Sequence, residues 1–479
     1  MRKQIVLSFA ALIFMGGCSL APNYTQPSAP IPPEWPQGPA YKDSQTEAEA
    51  QSAWKLSWQA FFTDPKLQQI IEMALNNNRD LRLAVLNVEK AAALYGIQRA
   101  ELFPTLNAAG SMSNQWYPAD LSSSKVASLQ EEYKINLGAA AWEVDFFGRI
   151  RSLKDSALET YLASDEAMRS AQILLIAATA SAYLNLAADH ENLNLAKTTL
   201  QIQQAVYRII NRRYQVGLAT EVDVKRAQTQ VDTARGDIAR FTQQVALDEN
   251  VLNLLLGSPA PADVLSANLS DILRPQAVSA GISSEILLNR PDILAAEHRL
   301  KGANANIGAA RASLFPRIAL TASAGTASSD LGGLFQSGSG IWNFAPVIVT
   351  PIFDARLWSA YDAARIESEI VLTSYQKAIQ VAFREVADAL AVSGTVGEQL
   401  SAQESLVNAV EIIYSRSEMR YQKGIDSYLS VLDAQRTLYS ARQGLISLRL
   451  ARFVNQVRLY AVLGGGGNVQ TPDLPAERE

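Results

Sequence analysis

Cysteine and histidine are almost absent from these 479 residues: Cys18 is the only thiol, and His190 and His298 are the only imidazoles. One thiol cannot build a disulfide framework. The string HENLN at 190–194 lacks the second histidine that a zinc-binding helix needs. The glycine run GGGG at 464–467 lacks the lysine and hydroxyl residue of a phosphate loop and opens no helical pattern. Beyond Cys18 no thiol is left to act as a nucleophile, and the linker 258–284 offers no catalytic constellation, so the sequence points to no enzyme. Positive charge is also scarce, with 42 Lys and Arg against 47 Asp and Glu. An acidic chain is a poor candidate for binding nucleic acid. No run is long and apolar enough to be read as a membrane helix. The stretch 170–188 comes nearest, but it carries Gln172 and Asn185, is rich in alanine, and continues a longer periodic pattern.

The N-terminus shows what is present instead. Arg2 and Lys3 precede the apolar stretch Ile5–Met15, and Gly16 and Gly17 precede Cys18. This reads as a secretory signal peptide over 1–17. Its MGGC ending resembles a bacterial lipoprotein box, which would leave Cys18 as the mature N-terminus and lipid attachment point. Ser19, rather than Asp, then suggests the outer membrane. An ordinary signal peptide followed by a free thiol is the plainer alternative. Without residues 1–17 the charges fall to 40 against 47, a net of −7.

The body of the chain is a repeat. RAELFPTL at 99–106 returns as RASLFPRI at 311–318, and RRYQVGLAT at 212–220 returns as MRYQKGIDS at 419–427. Internal repeats set architecture before anything else does. The reading is a Pro-rich strap over 18–66, a first unit over 67–257, a linker over 258–284, a second unit over 285–463 and a tail over 464–479. From 149 to 214 there is neither proline nor glycine, and small or apolar residues recur every seven positions from Ala167 to Ile209. Such spacing marks helices that supercoil on a neighbour. Gly217 interrupts the run, and a seam of Val224, Ala227, Val231 and Ala234 resumes it. A long helix, a turn and a returning helix make a hairpin with its tip near 217. The second copy repeats this with a tip near 424. A solid helical bundle fits these periodicities equally well.

Shorter helical runs at 67–102 and 285–314 open each copy and end at Leu-Phe-Pro, because proline cannot continue a helix. After each proline the apolar residues alternate: Leu106, Ala108, Gly110 and Met112, then Ile318, Leu320, Ala322 and Ala324. Period two predicts strands with two unlike faces, at about 105–117 and 317–328. Partners are expected at 132–146 and 341–353. Tyr133, Trp142, Trp342 and Phe344 suit a membrane-interface girdle. Four strands cannot close a barrel, open edges do not exist in lipid, and two chains would leave no lumen. Three chains would supply twelve strands. A half-exposed sheet in a soluble protein is the alternative.

The strings WQAFFTDPKLQQIIEMALNNNRDLRLA (58–84), AAWEVDFFGRIRS (140–152), LLNRPDI (287–293), YQKAIQVAFREVADAL (375–390) and RYQKGIDSYLSVLDAQRTLYSARQ (420–443) resemble the TolC-type outer-membrane factors, OprM-like lipoprotein branch. The resemblance implies a mainly α chain with a small membrane β part. It implies a homotrimer whose twelve-stranded barrel, four strands per chain, continues into a twelve-helix periplasmic barrel of coiled-coil hairpins. It implies an exit duct of a tripartite multidrug efflux pump, working with a periplasmic adaptor and an inner-membrane pump of RND type. A duct for secreted protein or metal ions, or a lipid-anchored coiled-coil scaffold without a pore, stands as the alternative. It implies a periplasmic gate at Leu429 and Asp433, with Arg436 able to pair with Asp433 on the same helix. It makes Tyr421 and Asp223 candidates for a hydrogen bond between the hairpins, and Val216, Gly217, Leu218, Ala219 and Gly424 a docking region for the adaptor. Asp426 stands where some relatives carry a basic residue. No cofactor is expected beyond the lipid on Cys18.

Overall fold

The structure is a computed structural model. It describes residues 19–41, 51–52, 56–122, 125–266, 268–281 and 283–467. The expected signal peptide, Cys18 and the tail beyond 467 lie outside the described residues.

In chain order the elements are β1 (Gln51–Ser52), α1 (Trp58–Phe61), α2 (Pro65–Asn77), α3 (Arg79–Ala100), β2 (Leu106–Tyr117), β3 (Ser128–Val144), α4 (Arg149–Gln215), α5 (Glu221–Leu256), β4 (Val278–Ser279), α6 (Pro291–Ala312), β5 (Arg317–Ser328), β6 (Gly340–Val349), α7 (Ala355–Gln422) and α8 (Tyr428–Val462). The chain is mostly helical with a small strand sheet. It forms two compact units, one of residues up to 28, 87–164 and 295–375, the other of 29–86, 165–294 and 376 onward.

The sequence repeat is a structural repeat. α3 and α6 are both 22 residues long. Each ends in the same turn: Leu102 and Phe103 donate to the carbonyls of Arg99 and Ala100, and Leu314 and Phe315 to those of Arg311 and Ala312. The helical run expected over 67–102 is instead two helices. Asn78 breaks it, its side chain accepting from Leu81 N at 2.9 Å and donating to the Leu255 carbonyl at 2.9 Å. Such a side chain offers the backbone an alternative to continuing the helix.

The first unit holds one four-stranded antiparallel sheet in the order β2-β3-β5-β6. Its register explains the alternation. Leu106, Met112 and Trp116 of β2 face Ala139, Tyr133 and Leu129 of β3. Leu137 of β3 faces Ala324 of β5, which faces Trp342 of β6. Cross-strand partners share a face, so one face of all four strands is largely apolar, interrupted by Asn114 opposite Glu131 and by Thr326 and Ser328 at one end. On the opposite face Ser111 meets Lys134 and Ser113 meets Glu132. Leu106, Met112, Trp116, Trp342 and Phe344 are all exposed. β2 and β6 each pair on one side only.

Two strand boundaries differ from expectation. β3 begins at Ser128 and stops at Val144, because Asp145 turns to the next helix and accepts from Ile150 N at 3.1 Å and Arg151 N at 2.9 Å. β6 ends at Val349, ahead of Pro351, which has no N–H to give a ladder. Between Ala139 and Trp142 the ladder slips by one residue, with Ala141 at φ 51° and its N–H on Thr321 Oγ1 at 3.0 Å. This is a β-bulge. It swaps the faces for the rest of β3, so Trp142 joins the apolar face. Glu143 joins the other, where Arg149 at 2.8 Å and Arg317 at 2.6 Å hold it.

The second unit contains the hairpin arms. α5 buries Val224, Ala227, Val231, Ala234, Phe241, Val245 and Leu252, the expected seven-residue seam. The most apolar window of α4 is 67% buried within the chain, as befits a packed helix. At the other end of this unit Phe61 stacks on Tyr460 at 4.0 Å, and the Tyr460 hydroxyl donates to the Leu56 carbonyl at 2.7 Å.

Candidate functional site at the hairpin tips

Each long helix stops at a glycine. Gly217 has φ 78° and Gly424 has φ 72°. Only glycine adopts this left-handed conformation without strain. Gly217 N–H bonds the Tyr214 carbonyl at 2.9 Å and Leu218 N–H the Arg213 carbonyl at 2.8 Å. Gly424 and Ile425 make the same pair of bonds to Tyr421 and Arg420, both at 2.9 Å. Both tips are therefore Schellman turns, which satisfy the last carbonyls of a helix.

The two hairpins of the second unit meet near their tips. Ile210, Val224 and Ala227 of the first and Tyr428, Val431 and Leu432 of the second form a buried cluster, with Tyr414 and Tyr421 packed against it. The Tyr428 hydroxyl is buried without a hydrogen-bond partner among the described residues. Burial holds this phenol well above its usual titration range, and the nearby Tyr421, Tyr414 and Asp223 add to the effect.

The expected bond between Tyr421 and Asp223 is not made within the chain. Arg213 donates to the Tyr421 hydroxyl at 3.0 Å and its guanidinium lies 5.4 Å over the same ring. Asp223 is taken by a capping box. It accepts from Thr220 N at 3.1 Å and Thr220 Oγ1 at 2.7 Å, while Thr220 Oγ1 accepts from Asp223 N at 3.2 Å. These bonds hold the Asp223 carboxyl below the usual carboxylate range. A Thr-x-x-Asp string opening a helix is a sequence signal for that box, and it outcompetes a more distant phenol. Nothing in the sequence singles out Arg213 from the other cations near the tips, Arg208, Arg212, Arg416, Arg420 and Lys423.

The second tip is closed differently. Arg420, itself exposed, grips the half-buried Asp426 through two bonds, 2.7 and 2.9 Å. The guanidinium holds the Asp426 carboxyl below its usual range. Along α8, Leu429 is 53% exposed, and Arg436 donates to Asp433 at 3.0 Å with both side chains exposed. These three residues line the side of α8 away from its buried seam. Val216 and Leu218 are exposed at the first tip.

Long paired hairpins joined in sequence to a sheet with one continuous apolar face define a channel-type protein of a bacterial outer membrane. The chain belongs to the outer membrane efflux protein family, whose profile matches residues 70–258 and 282–465. It is 47% identical over 472 residues to the probable efflux pump outer membrane protein TtgC of Pseudomonas putida, covering 98% of this chain and 97% of that protein. It is 39% identical over 462 residues to the cation efflux system protein CusC of Escherichia coli, covering 96% and 99%. The open state of the Neisseria gonorrhoeae MtrE outer membrane channel superposes with a TM-score of 0.84 at 36% identity, covering 94% of this chain and 98% of MtrE. The chain is thus an outer-membrane efflux channel, a family of transport proteins and not of enzymes.

Proposed function

We propose that three copies close a twelve-stranded barrel and that the duct so formed carries toxic organic compounds out of the cell. The sheet carries this reading. Its apolar face is exposed on β2, on much of β3 and on β6 and half-exposed along β5, and β2 and β6 keep unpaired edges that lipid does not tolerate. Strands of 10 to 17 residues are long enough to cross a bilayer when tilted. Partner copies pair those edges and leave the apolar face to lipid and the polar face to the lumen.

The helix tips form the periplasmic gate. Three copies of Leu429 make an apolar ring, and three of Asp433, each steadied by Arg436, make an acidic one. Arg213 on Tyr421 latches the two hairpins of each chain. Val216, Gly217, Leu218, Ala219 and Gly424 meet a periplasmic adaptor, which joins the duct to an inner-membrane pump of RND type. Lipid on Cys18 anchors the N-terminus in the outer membrane. Relatives named for toluene and solvent efflux support an organic cargo; CusC, named for cations, is less similar. A strain lacking the chain should accumulate an organic dye without becoming more sensitive to metal cations, and the reverse result would reassign the cargo.

Planar bilayers test the duct itself. Wild-type protein should pass small currents that rise severalfold in Leu429→Ala with Asp433→Ala. Silence from both forms would favour a scaffold without a pore.

A further inference from the structure

In the second unit the segment 269–280 lies beside α7 and α8 and leaves two adjoining cavities of about 270 and 410 Å³. They share Gly397, Arg452 and Gln456, and so form one trough. Arg274, Arg449 and Arg452 line it. Glu404 is the one carboxylate in the lining, 3.9 Å from Arg449. Arg274 and Arg452 have no carboxylate partner among the described residues.

Arginines that merely hold this unit together look different. Arg290 is buried against Asp292 at 2.8 Å and Glu385 at 3.0 Å and donates to the Val462 carbonyl at 2.7 Å. A lining with three arginines and one carboxylate also runs against the acidic balance of the whole chain. Gly397, exposed and shared by both cavities, carries a second signal. It sits in the interior of α7, where glycine is a poor helix former. A side chain added there would meet nothing within 4 Å. Fold packing does not demand glycine at this position; an occupant of the trough would.

We propose that this trough binds an extended oligo-anion through its carboxylate or phosphate oxygens. Guanidinium groups present forked donors that match both oxyanions, and a partly sheltered trough strengthens such bonds. Arg452, common to both cavities, is the central contact. Arg274 and Arg449 extend the grip along the 410 Å³ cavity. Glu404 opposes the ligand and limits its affinity.

The test is calorimetric titration of the assembled, detergent-purified protein at low salt with inorganic tripolyphosphate and with a tetraglutamate peptide. Binding of either supports the site, and which one binds tells a phosphate ligand from a carboxylate one. Arg452→Gln should weaken binding about tenfold, and Glu404→Gln should tighten it about threefold. Gly397→Leu keeps every charge but fills part of the trough, and it too should weaken binding about tenfold. Size-exclusion elution and circular dichroism confirm that each variant is folded. The proposal fails if neither anion binds below about 1 mM. It also fails if Gly397→Leu binds as tightly as the parent, because binding would then be diffuse surface attraction.

Discussion

The two hairpin tips share one backbone turn and differ in what closes it. Arg213 and Arg420 occupy equivalent repeat positions, as do Tyr214 and Tyr421. The equivalent of Asp426 is Ala219, and the equivalent of Asp223 is Ser430. Those two exchanges decide the chemistry. With alanine at 219, Arg213 has no carboxylate across its own turn and reaches Tyr421 in the other hairpin. With aspartate at 426, Arg420 stays within its own hairpin. With serine at 430 no capping box forms, and Ser427 makes no side-chain cap bond. The first tip is fastened by short-range hydrogen bonds, the second by a surface ion pair. Surface pairs contribute little and weaken with salt. The second tip, which leads into Leu429 and Asp433, is therefore the looser one.

Three experiments break or sharpen this contrast, in falling order of effect. Tyr428→Ala removes the largest ring from the cluster that both hairpins share and should cost about 3 kcal/mol of local stability. Hydrogen exchange should quicken at both tips, and bilayer current should rise. Tyr428→Phe deletes a hydroxyl that has no partner among the described residues, so it should leave stability unchanged or raised; a large loss would mean that the hydroxyl is bonded.

Next, Thr220→Ala should cost about 1 kcal/mol and speed exchange of the first amides of α5. Ser427→Ala should leave those of α8 nearly as they were. Acid should mimic the first change. The Asp223 carboxyl titrates lower in the fold than in the open chain, so its contribution is complete above the ordinary value of 3.8 and is lost as pH falls through the folded value. Exchange at the first tip that stays flat down to pH 3 would contradict this.

The smallest change in stability comes from exchanging the closures. Ala219→Asp gives Arg213 a carboxylate across its turn and should draw it off Tyr421. The unfolding midpoint should hardly move, yet single-channel recordings should show more frequent opening. Asp426→Ala, which touches no contact between hairpins, should leave opening frequency much closer to the parent. Equal behaviour of the two variants would remove Arg213 from the latch.

Much of this architecture was legible because its signals are periodic. Leu-Phe-Pro marked both helix ends, alternation marked two strands and pointed to a partner for each, and Gly217 and Gly424 marked both turns. What escaped were choices between competing partners. Asp223 has a phenol within reach in the neighbouring hairpin and a threonine three residues before it, and local geometry favours the threonine. Asn78 stands in the polar run 76–80 between two helical patterns, but its bond to the Leu255 carbonyl of a distant helix is something no local pattern reveals. The slip in β3 was hidden by Ala139, Ala140 and Ala141, three identical residues that carry no face preference to betray a change of phase.

That alanine run has an evolutionary corollary. Downstream of it, every side chain of β3 is out of step with those before it by one position. Losing Ala141 alone would close the bulge and leave Trp142 opposite Leu320 and Glu143 opposite Ala319. A one-residue loss should therefore be tolerated within this run, whereas elsewhere in the ribbon length changes should survive only in twos or when offset nearby.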